Sequence, residues 1–186
     1  MAAQIEPLVT VSDLDLMPED GSRYEVIEGE LFVSKAAGVT HQTVSMNLSW
    51  IFSAFLKLNP IGRVLATPGL IFDEISGVIP DLVFVSNERF EQIVRGERLV
   101  AAPELIIEIV SPGSENHVRD RIAKRQLYGR FGVKEYWLVD LQNRVIEVLV
   151  IKDRILVAAA TYKEDEEIRT PILPGFVCKA SDVFSI

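Results

Sequence analysis

The spacing of apolar positions changes several times along the chain, and each change marks an element. Arg23 to Ser34 reads as a hairpin, with Tyr24-Glu25-Val26-Ile27-Glu28, a turn at Gly29, then Leu31-Phe32-Val33. From about His41 to Leu58 the period becomes helical: Val44, Leu48, Ile51, Phe52 and Phe55 share a face, Thr40 can cap the start, and Asn59-Pro60 stops it. Short strands are predicted over Arg63 to Ala66, Leu70 to Asp73 and Asp81 to Val85, followed by a short helix from Ser86 to Gly96 capped by Ser86 or Asn87. Leu105 to Val110 and Glu135 to Asp140 are apolar on both faces, as buried strands are, and a helix from about Val118 to Arg130 separates them. Strand, helix, strand in that order predicts a right-handed parallel crossover. Val145 to Ile151 and Ile155 to Ala160, with Asp153 in the turn, predict a second hairpin. The N-terminal stretch through Pro7, Pro18 and Gly21 is polar and irregular, and a tail with Pro171, Pro174 and Gly175 leads to a short element at Asp182-Val183-Phe184. With no repeat, low-complexity segment or linker, one mixed α/β domain over residues 1–186, its core about 23–160, is expected.

Composition narrows the class. None of the apolar runs approaches the length of a membrane span. The segment Met1-Ala2-Ala3-Gln4-Ile5-Glu6-Pro7 lacks the basic and apolar regions of a signal peptide, so a cytoplasmic location is expected. The single cysteine, Cys178, excludes an internal disulfide and a cysteine-rich zinc site. A net charge of −8 argues against indiscriminate binding to nucleic acid, but the charge is uneven. Between Val118 and Lys134 six basic residues face Asp120 alone, a local +5 that leaves −13 for the remainder. Most such runs are solvated helix faces. The functional alternative is a local anion site on a chain that repels polyanions elsewhere.

Glu108 stands out within the buried run. Alternation puts Leu105, Ile107 and Ile109 on one face and Ile106, Glu108 and Val110 on the other. An unpartnered carboxylate there costs several kcal/mol, so a base, a hydrogen-bond network or a metal must meet it. Asp81 follows Pro80 at a strand start, where a turn acid is ordinary; paired with Glu108 across neighbouring strands it becomes half of an oxygen-ligand site. Mg²⁺ suits such a site, taking one or two carboxylates, a carbonyl and several waters. The backbone carbonyl of Ile109 or Val110 is the natural further ligand. Lys124 lies on the following helix with Asp120 one turn earlier, either as a surface ion pair or as an ammonium reaching over the strand end to a water or a phosphate. Glu28, at the hairpin turn, is explained about as well by the turn alone as by a role in the site. His41, at a helix start, can contact phosphate or shuttle a proton, or can simply be a polar neighbour.

These residues resemble a known family. Pro80-Asp81, then Glu108 in an apolar strand, then a lysine, is similar to the PD-(D/E)xK nuclease superfamily. Five ordered segments narrow the resemblance to its Uma-type restriction endonucleases: Arg23 to Leu31; His41-Gln42; Pro80-Asp81-Leu82-Val83-Phe84-Val85; Glu108-Ile109-Val110-Ser111-Pro112; and Lys124 with Tyr128 and the run Gly132 to Asp140. It covers about Tyr24 to Phe184. The resemblance implies a restriction-endonuclease-like αβββαβ core with a mixed central sheet, built from the helix at His41, strands near Leu70, Asp81 and Glu108, the helix at Lys124 and the strand at Tyr136. It implies Asp81 and Glu108 as metal ligands, Lys124 as the catalytic lysine, Glu28 as an additional acid and His41 as an active-site neighbour. The superfamily's lysine stands two residues after the acid, where this chain has Val110; in this branch a lysine of the following helix is expected to take over, and Lys124 fits.

The expectation is therefore a Mg²⁺-dependent (or Mn²⁺-dependent) endonuclease acting on nucleic acid, DNA foremost, with Arg119, Arg121 and Arg125 as phosphate contacts. Met46 and Trp50, outside the main apolar stripe of the first long helix, allow a homodimer surface. The alternative is a non-catalytic module that keeps the fold and binds nucleic acid or protein. A glycosidase would need a sugar-binding aromatic platform, and 8% aromatics show no cluster of that kind.

Overall fold

A computed structural model describes residues 8–110 and 119–185. In chain order its elements are α1 (Val11–Leu14), β1 (Arg23–Ile27), β2 (Glu30–Ser34), α2 (Val39–Leu58), β3 (Gly62–Ala66), β4 (Leu70–Asp73), β5 (Ser76–Val78), β6 (Leu82–Ser86), α3 (Asn87–Ile93), β7 (Val94–Arg95), β8 (Arg98–Leu99) and β9 (Leu105–Val110). A π-helical turn (Arg119–Ala123) then runs directly into α4 (Lys124–Phe131), followed by β10 (Glu135–Asp140), β11 (Val145–Lys152), β12 (Ile155–Lys163), β13 (Glu167–Ile168), β14 (Cys178–Lys179) and α5 (Ala180–Val183). The predicted break at Ser111-Pro112-Gly113 and the predicted helix start at Val118 lie outside the described residues.

The central sheet has the order β12-β11-β10-β9-β6-β3. β9 and β10 run parallel, Glu108 opposite Leu138, which is the predicted crossover; β6 pairs antiparallel with β9, Leu82 opposite Ile107, and β3 antiparallel with β6. All six residues of β9 and all six of β10 are buried, because each strand is interior to the sheet and both faces are covered. One face carries Leu105, Ile107 and Ile109 against Val44, Leu48, Phe52 and Leu56 of α2 and against the C-terminal Phe176, Val183 and Phe184. The other carries Ile106 and Val110 against Leu127 and Tyr128 of α4 and against Ile27, Leu70 and Val78 of a second sheet. The alternation read from the sequence is thus the division between two apolar cores.

The second sheet, ordered β2-β1-β5-β4-β8-β7, corrects one expectation. The strand at Leu70, assigned above to the αβββαβ core, pairs with β5 and β8 here, and β3 at Gly62–Ala66 takes its place in the central sheet. Sequence cannot separate these neighbours, since both are short strands of similar apolarity. The core order is therefore α2, β3, β6, β9, α4, β10. Two further differences are small. The predicted helix to Gly96 ends at Ile93, although Ser86 caps it as expected by accepting from the Arg89 N–H, and Asp182-Val183-Phe184 falls in α5 and its C-cap.

Three local features set the site. Glu28 and Gly29 both have positive φ (53° and 84°) between paired Ile27 and Glu30, a two-residue turn of the kind that matches strand twist. The hairpin that follows leaves its inner strand, β1, beside β5. Gly129 lets α4 approach β12: a Cβ there would stand 2.9 Å from the Arg154 carbonyl oxygen. The π-helical turn inserts an extra residue just before Lys124, a device common where a helix must aim particular side chains.

Candidate active site

Asp81 ends the loop after Pro80 and is 3% exposed; Glu108, mid-strand in β9, is 2% exposed. The antiparallel register of β6 and β9 sets Asp81 next to Glu108 at the point where β6 begins. Asp81 is surrounded by donors. Its Oδ2 accepts from the Ile109 N–H at 2.8 Å and lies 3.1 Å from His41 Nε2, while its Oδ1 accepts from the Arg23 guanidinium at 3.2 Å. Burial pushes the Asp81 carboxyl up, but His41, the Ile109 N–H and Arg23 outweigh it and hold it at about 2.

Glu108 is treated in the opposite way. Its Oε1 accepts from Lys124 Nζ at 2.9 Å and from the Tyr128 hydroxyl at 2.7 Å. Among the described residues no donor reaches Oε2. Burial pushes Glu108 up, Lys124 pulls it back, and the neighbouring Asp81, Asp120 and Glu25 raise it further, to about 8. The two carboxyls are therefore driven apart, Asp81 ionised and Glu108 ready to hold a proton. Burial also lowers Lys124, but Glu108, Glu25 and Asp120 more than compensate and keep it an ammonium.

Lys124 is fully buried, and its ammonium contacts Glu25 Oε1 at 2.8 Å and Asp120 Oδ1 at 3.8 Å besides Glu108. The surface ion pair weighed for Lys124 and Asp120 is thus an interior one. The ammonium sits behind Glu108 rather than over the strand end. His41, at the start of α2, meets Asp81, and its Nδ1 is buried with no partner among the described residues. His41, Asp81 and Glu108 border a cleft of about 590 Å³ lined also by Gly21, Ser22, Arg23, residues 33–38, Gln42, Ile109, Arg119 and Asp120.

Four expectations fare less well. Glu28 is carried outward by its turn, is half exposed, and pairs with Arg130 at 2.6 Å. Its place near the lysine is taken by Glu25, on the inner strand β1, which is 1% exposed and also accepts from the Ile79 N–H. Glu25 carries a weaker signal than Glu108, because its strand, Arg23-Tyr24-Glu25-Val26-Ile27, has a second charged residue on the same face and reads as one arm of an ordinary hairpin. The Val110 carbonyl accepts from the Leu141 N–H at 3.4 Å and so belongs to the sheet, whereas Ile109 lines the cleft and is the better carbonyl. Arg121 and Arg125, four residues apart and so on one flank of the helix, face the β11–β12 side: Arg121 pairs with Asp140 and Glu147, and Arg125 donates to the Leu156 carbonyl. Of the three arginines only Arg119 lines the cleft, bonded to Asp120 at 2.9 Å and 3.3 Å. Arg23, which the sequence did not single out, lines it too.

The donor set suits a hard divalent cation. Among the described residues no three His, Cys, Asp or Glu side chains are arranged to hold a metal ion. Mg²⁺ does not need an all-protein cage. Two buried carboxylates, a carbonyl and open cleft for water remain, and Cys178 lies buried in the opposite core.

A family model matches residues 11–181, and its description is putative restriction endonuclease, Uma2. The chain belongs to the Uma2 family. Membership makes nuclease its reading at the level of the family. Uma2 architecture is matched by a solved structure: a putative nuclease belonging to DUF820 from Anabaena variabilis ATCC 29413 aligns with a TM-score of 0.78 at 19% identity, over 95% of this chain and 97% of that one. That likeness shows a shared restriction-endonuclease-like fold. The type IIG restriction endonuclease BpuSI aligns with a TM-score of 0.40 at 14% identity, over 77% of this chain and 15% of its own. No curated protein matches the sequence. No helix among the described residues is long and apolar enough to cross a membrane.

Proposed function

We propose that this Uma2 chain is a Mg²⁺-dependent (or Mn²⁺-dependent) nuclease that hydrolyses phosphodiester bonds, in DNA foremost. One observation carries the reading: Asp81, just before β6, and Glu108, in the adjacent β9, converge on a cleft, their pKa values are driven apart, and a buried ammonium backs the second. Asp81, the Glu108 Oε2 and the Ile109 carbonyl would hold the cation. When bound, it supplies a Lewis acid for a phosphoryl oxygen and a bound water of lowered pKa.

The chain's own groups prepare that site. Lys124 and Tyr128 both take Glu108 Oε1, which leaves Oε2 for the cleft. The Tyr128 hydroxyl, raised well above its ordinary value by burial and by Glu108, stays a donor. Lys124 thereby acts as a positioning residue that fixes Glu108 and balances Glu25 and Asp120. His41 holds Asp81 Oδ2 from the wall of the cleft. Arg119 offers a guanidinium edge to a phosphate. The acidic remainder of the chain makes binding salt-sensitive and local.

The deciding assay is nicking of supercoiled plasmid by the wild type with Mg²⁺, with Mn²⁺ and with EDTA. Cleavage that needs the metal and stops with EDTA is expected. Metal-independent retention of DNA without cleavage would instead favour a binding module.

A second copy of the chain is the proposed partner on α2. Val39, Met46, Trp50 and Leu58 are exposed there, and the helix carries no ionisable side chain except His41 and Lys57. A nearly neutral face lets two copies meet where the charge of −8 does not repel them. Light scattering is expected to give a dimer at micromolar concentration and a monomer for Trp50→Glu; a monomeric wild type rejects the dimer.

A further inference from the structure

Lys124 cannot meet a substrate in the arrangement described, because its ammonium is fully buried and bonded to Glu25 and Glu108. Arg119 is tied at two nitrogens to Asp120. Lys35 is exposed at the cleft rim. Among the described arginines of the cleft, Arg23 is the one paired with Asp81.

Arg23 opens β1 on the same side of the strand as Glu25 and reaches across to Asp81. One of its nitrogens, Nη1, serves both the Ile79 carbonyl and Asp81 Oδ1, each at 3.2 Å. Its side chain is 29% exposed, against 4% for Asp81. It has open volume on two sides, lining the cleft and also a neighbouring cavity of about 270 Å³ bordered by Val11, Leu14, Leu70 and Val78. The two Asp81 oxygens are thus held unequally. Oδ2 is fixed by a backbone N–H of the central sheet and by His41 on α2. Oδ1 depends on one partly exposed arginine.

A divalent cation between Asp81 and Glu108 requires an Asp81 oxygen, and Oδ1 is the one whose partner can move. Released from it, the guanidinium remains in the cleft with its charge intact, within reach of whatever anion lies there. We propose that Arg23 is an exchangeable phosphate-binding residue: it neutralises Asp81 when no divalent cation is bound, and passes to a phosphate oxygen of the nucleic acid when the cation takes Oδ1. Cation and nucleic acid then bind cooperatively, since each favours the same position of Arg23. This rests on the reading of the cleft as a nuclease site.

The test uses the full chain and two variants, Arg23→Gln and Arg23→Lys, with folding checked by thermal melts. Ca²⁺ titrated alone by calorimetry should bind Arg23→Gln about tenfold more tightly than wild type, because a competing positive charge is gone. Binding of a fluorescent DNA duplex in Ca²⁺, measured by anisotropy across a salt series, should weaken in Arg23→Gln, its log–log salt slope smaller by about one. Arg23→Lys should keep the slope. In wild type the duplex should tighten Ca²⁺ binding, and in Arg23→Gln that coupling should fall towards onefold. Unchanged or weaker Ca²⁺ binding by Arg23→Gln, or an unchanged salt slope, overturns the role of Arg23 while leaving the nuclease reading intact if wild type still nicks plasmid. A wild type that binds neither Ca²⁺ nor duplex overturns both.

Discussion

Glu108→Gln is expected to lose plasmid nicking by on the order of 10³ while melting no lower than wild type at pH 8.5. Glutamine keeps an oxygen for the Lys124 and Tyr128 donors, so the buried network survives, but it removes the charge proposed to hold the cation. The pH dependence follows from the raised Glu108 value of about 8 against an ordinary 4.5. A group whose pKa is raised by folding stabilises the fold fully below its unfolded value, and that contribution is lost as pH climbs through the folded value. The metal-free wild type should therefore lose stability between about pH 5 and 9 by this route, and Glu108→Gln should not. Asp81, held at about 2, contributes in the opposite sense: its stabilisation is present above its ordinary 3.8 and disappears as pH falls towards 2, outside that window. Cation binding must displace the Glu108 proton, so the apparent affinity for Mg²⁺ should rise about tenfold per pH unit below 8 and level off above it. Calorimetry at pH 6, 7, 8 and 9 checks this. A flat profile would mean that Glu108 is already ionised or is not a ligand.

Lys124→Met has the largest expected effect on stability. Methionine fills similar volume without charge and leaves Glu25, Glu108 and Asp120 facing one another in the interior. Removing one partner from a buried charge cluster costs about 3–5 kcal/mol. In a chain of this size that corresponds to a fall in Tm of roughly 6–20 °C. The double variant Glu25→Gln with Lys124→Met should regain part of the loss, because one of the stranded acids is then neutral. Thermal melts of the single and double variants measure both. The result also separates two roles for the lysine. A variant that melts like wild type yet no longer nicks DNA would place the ammonium in the cleft chemistry itself. The large Tm drop with partial recovery is what a positioning residue gives.

Different parts of the site were legible to different degrees. Glu108 declared itself because a lone acid inside a run apolar on both faces has no ordinary explanation. Asp81 was legible only as its partner, since a turn acid after a proline is common. The segments around Asp81, Glu108 and Lys124 carried the family resemblance, and the Uma2 match over residues 11–181 agrees with it. Glu25 and Glu28 show where reading along the chain fails. They lie three residues apart in one hairpin, and the acid at the turn drew the assignment. The turn's positive φ angles send Glu28 outward to Arg130, while Glu25, in mid-strand, reaches Lys124 across nearly a hundred residues of sequence.

What the sequence determined by itself was periodic and local: the helix α2, the buried strands β9 and β10, the crossover between them, and the faces on which Ile106, Glu108 and Val110 fall. Period and capping are properties of neighbours along the chain, so they can be read there. Only the tertiary structure decided which strand joined which sheet, so that β3 rather than β4 completed the central one. It alone turned Arg121 and Arg125 away and brought Arg23 to Asp81, because which donors surround a carboxylate depends on strand register and on segments far apart in sequence. It also set the ionisation of the site. Desolvation and the arrangement of charges within a few ångströms separate Asp81 from Glu108, and neither quantity exists until the chain has folded around them.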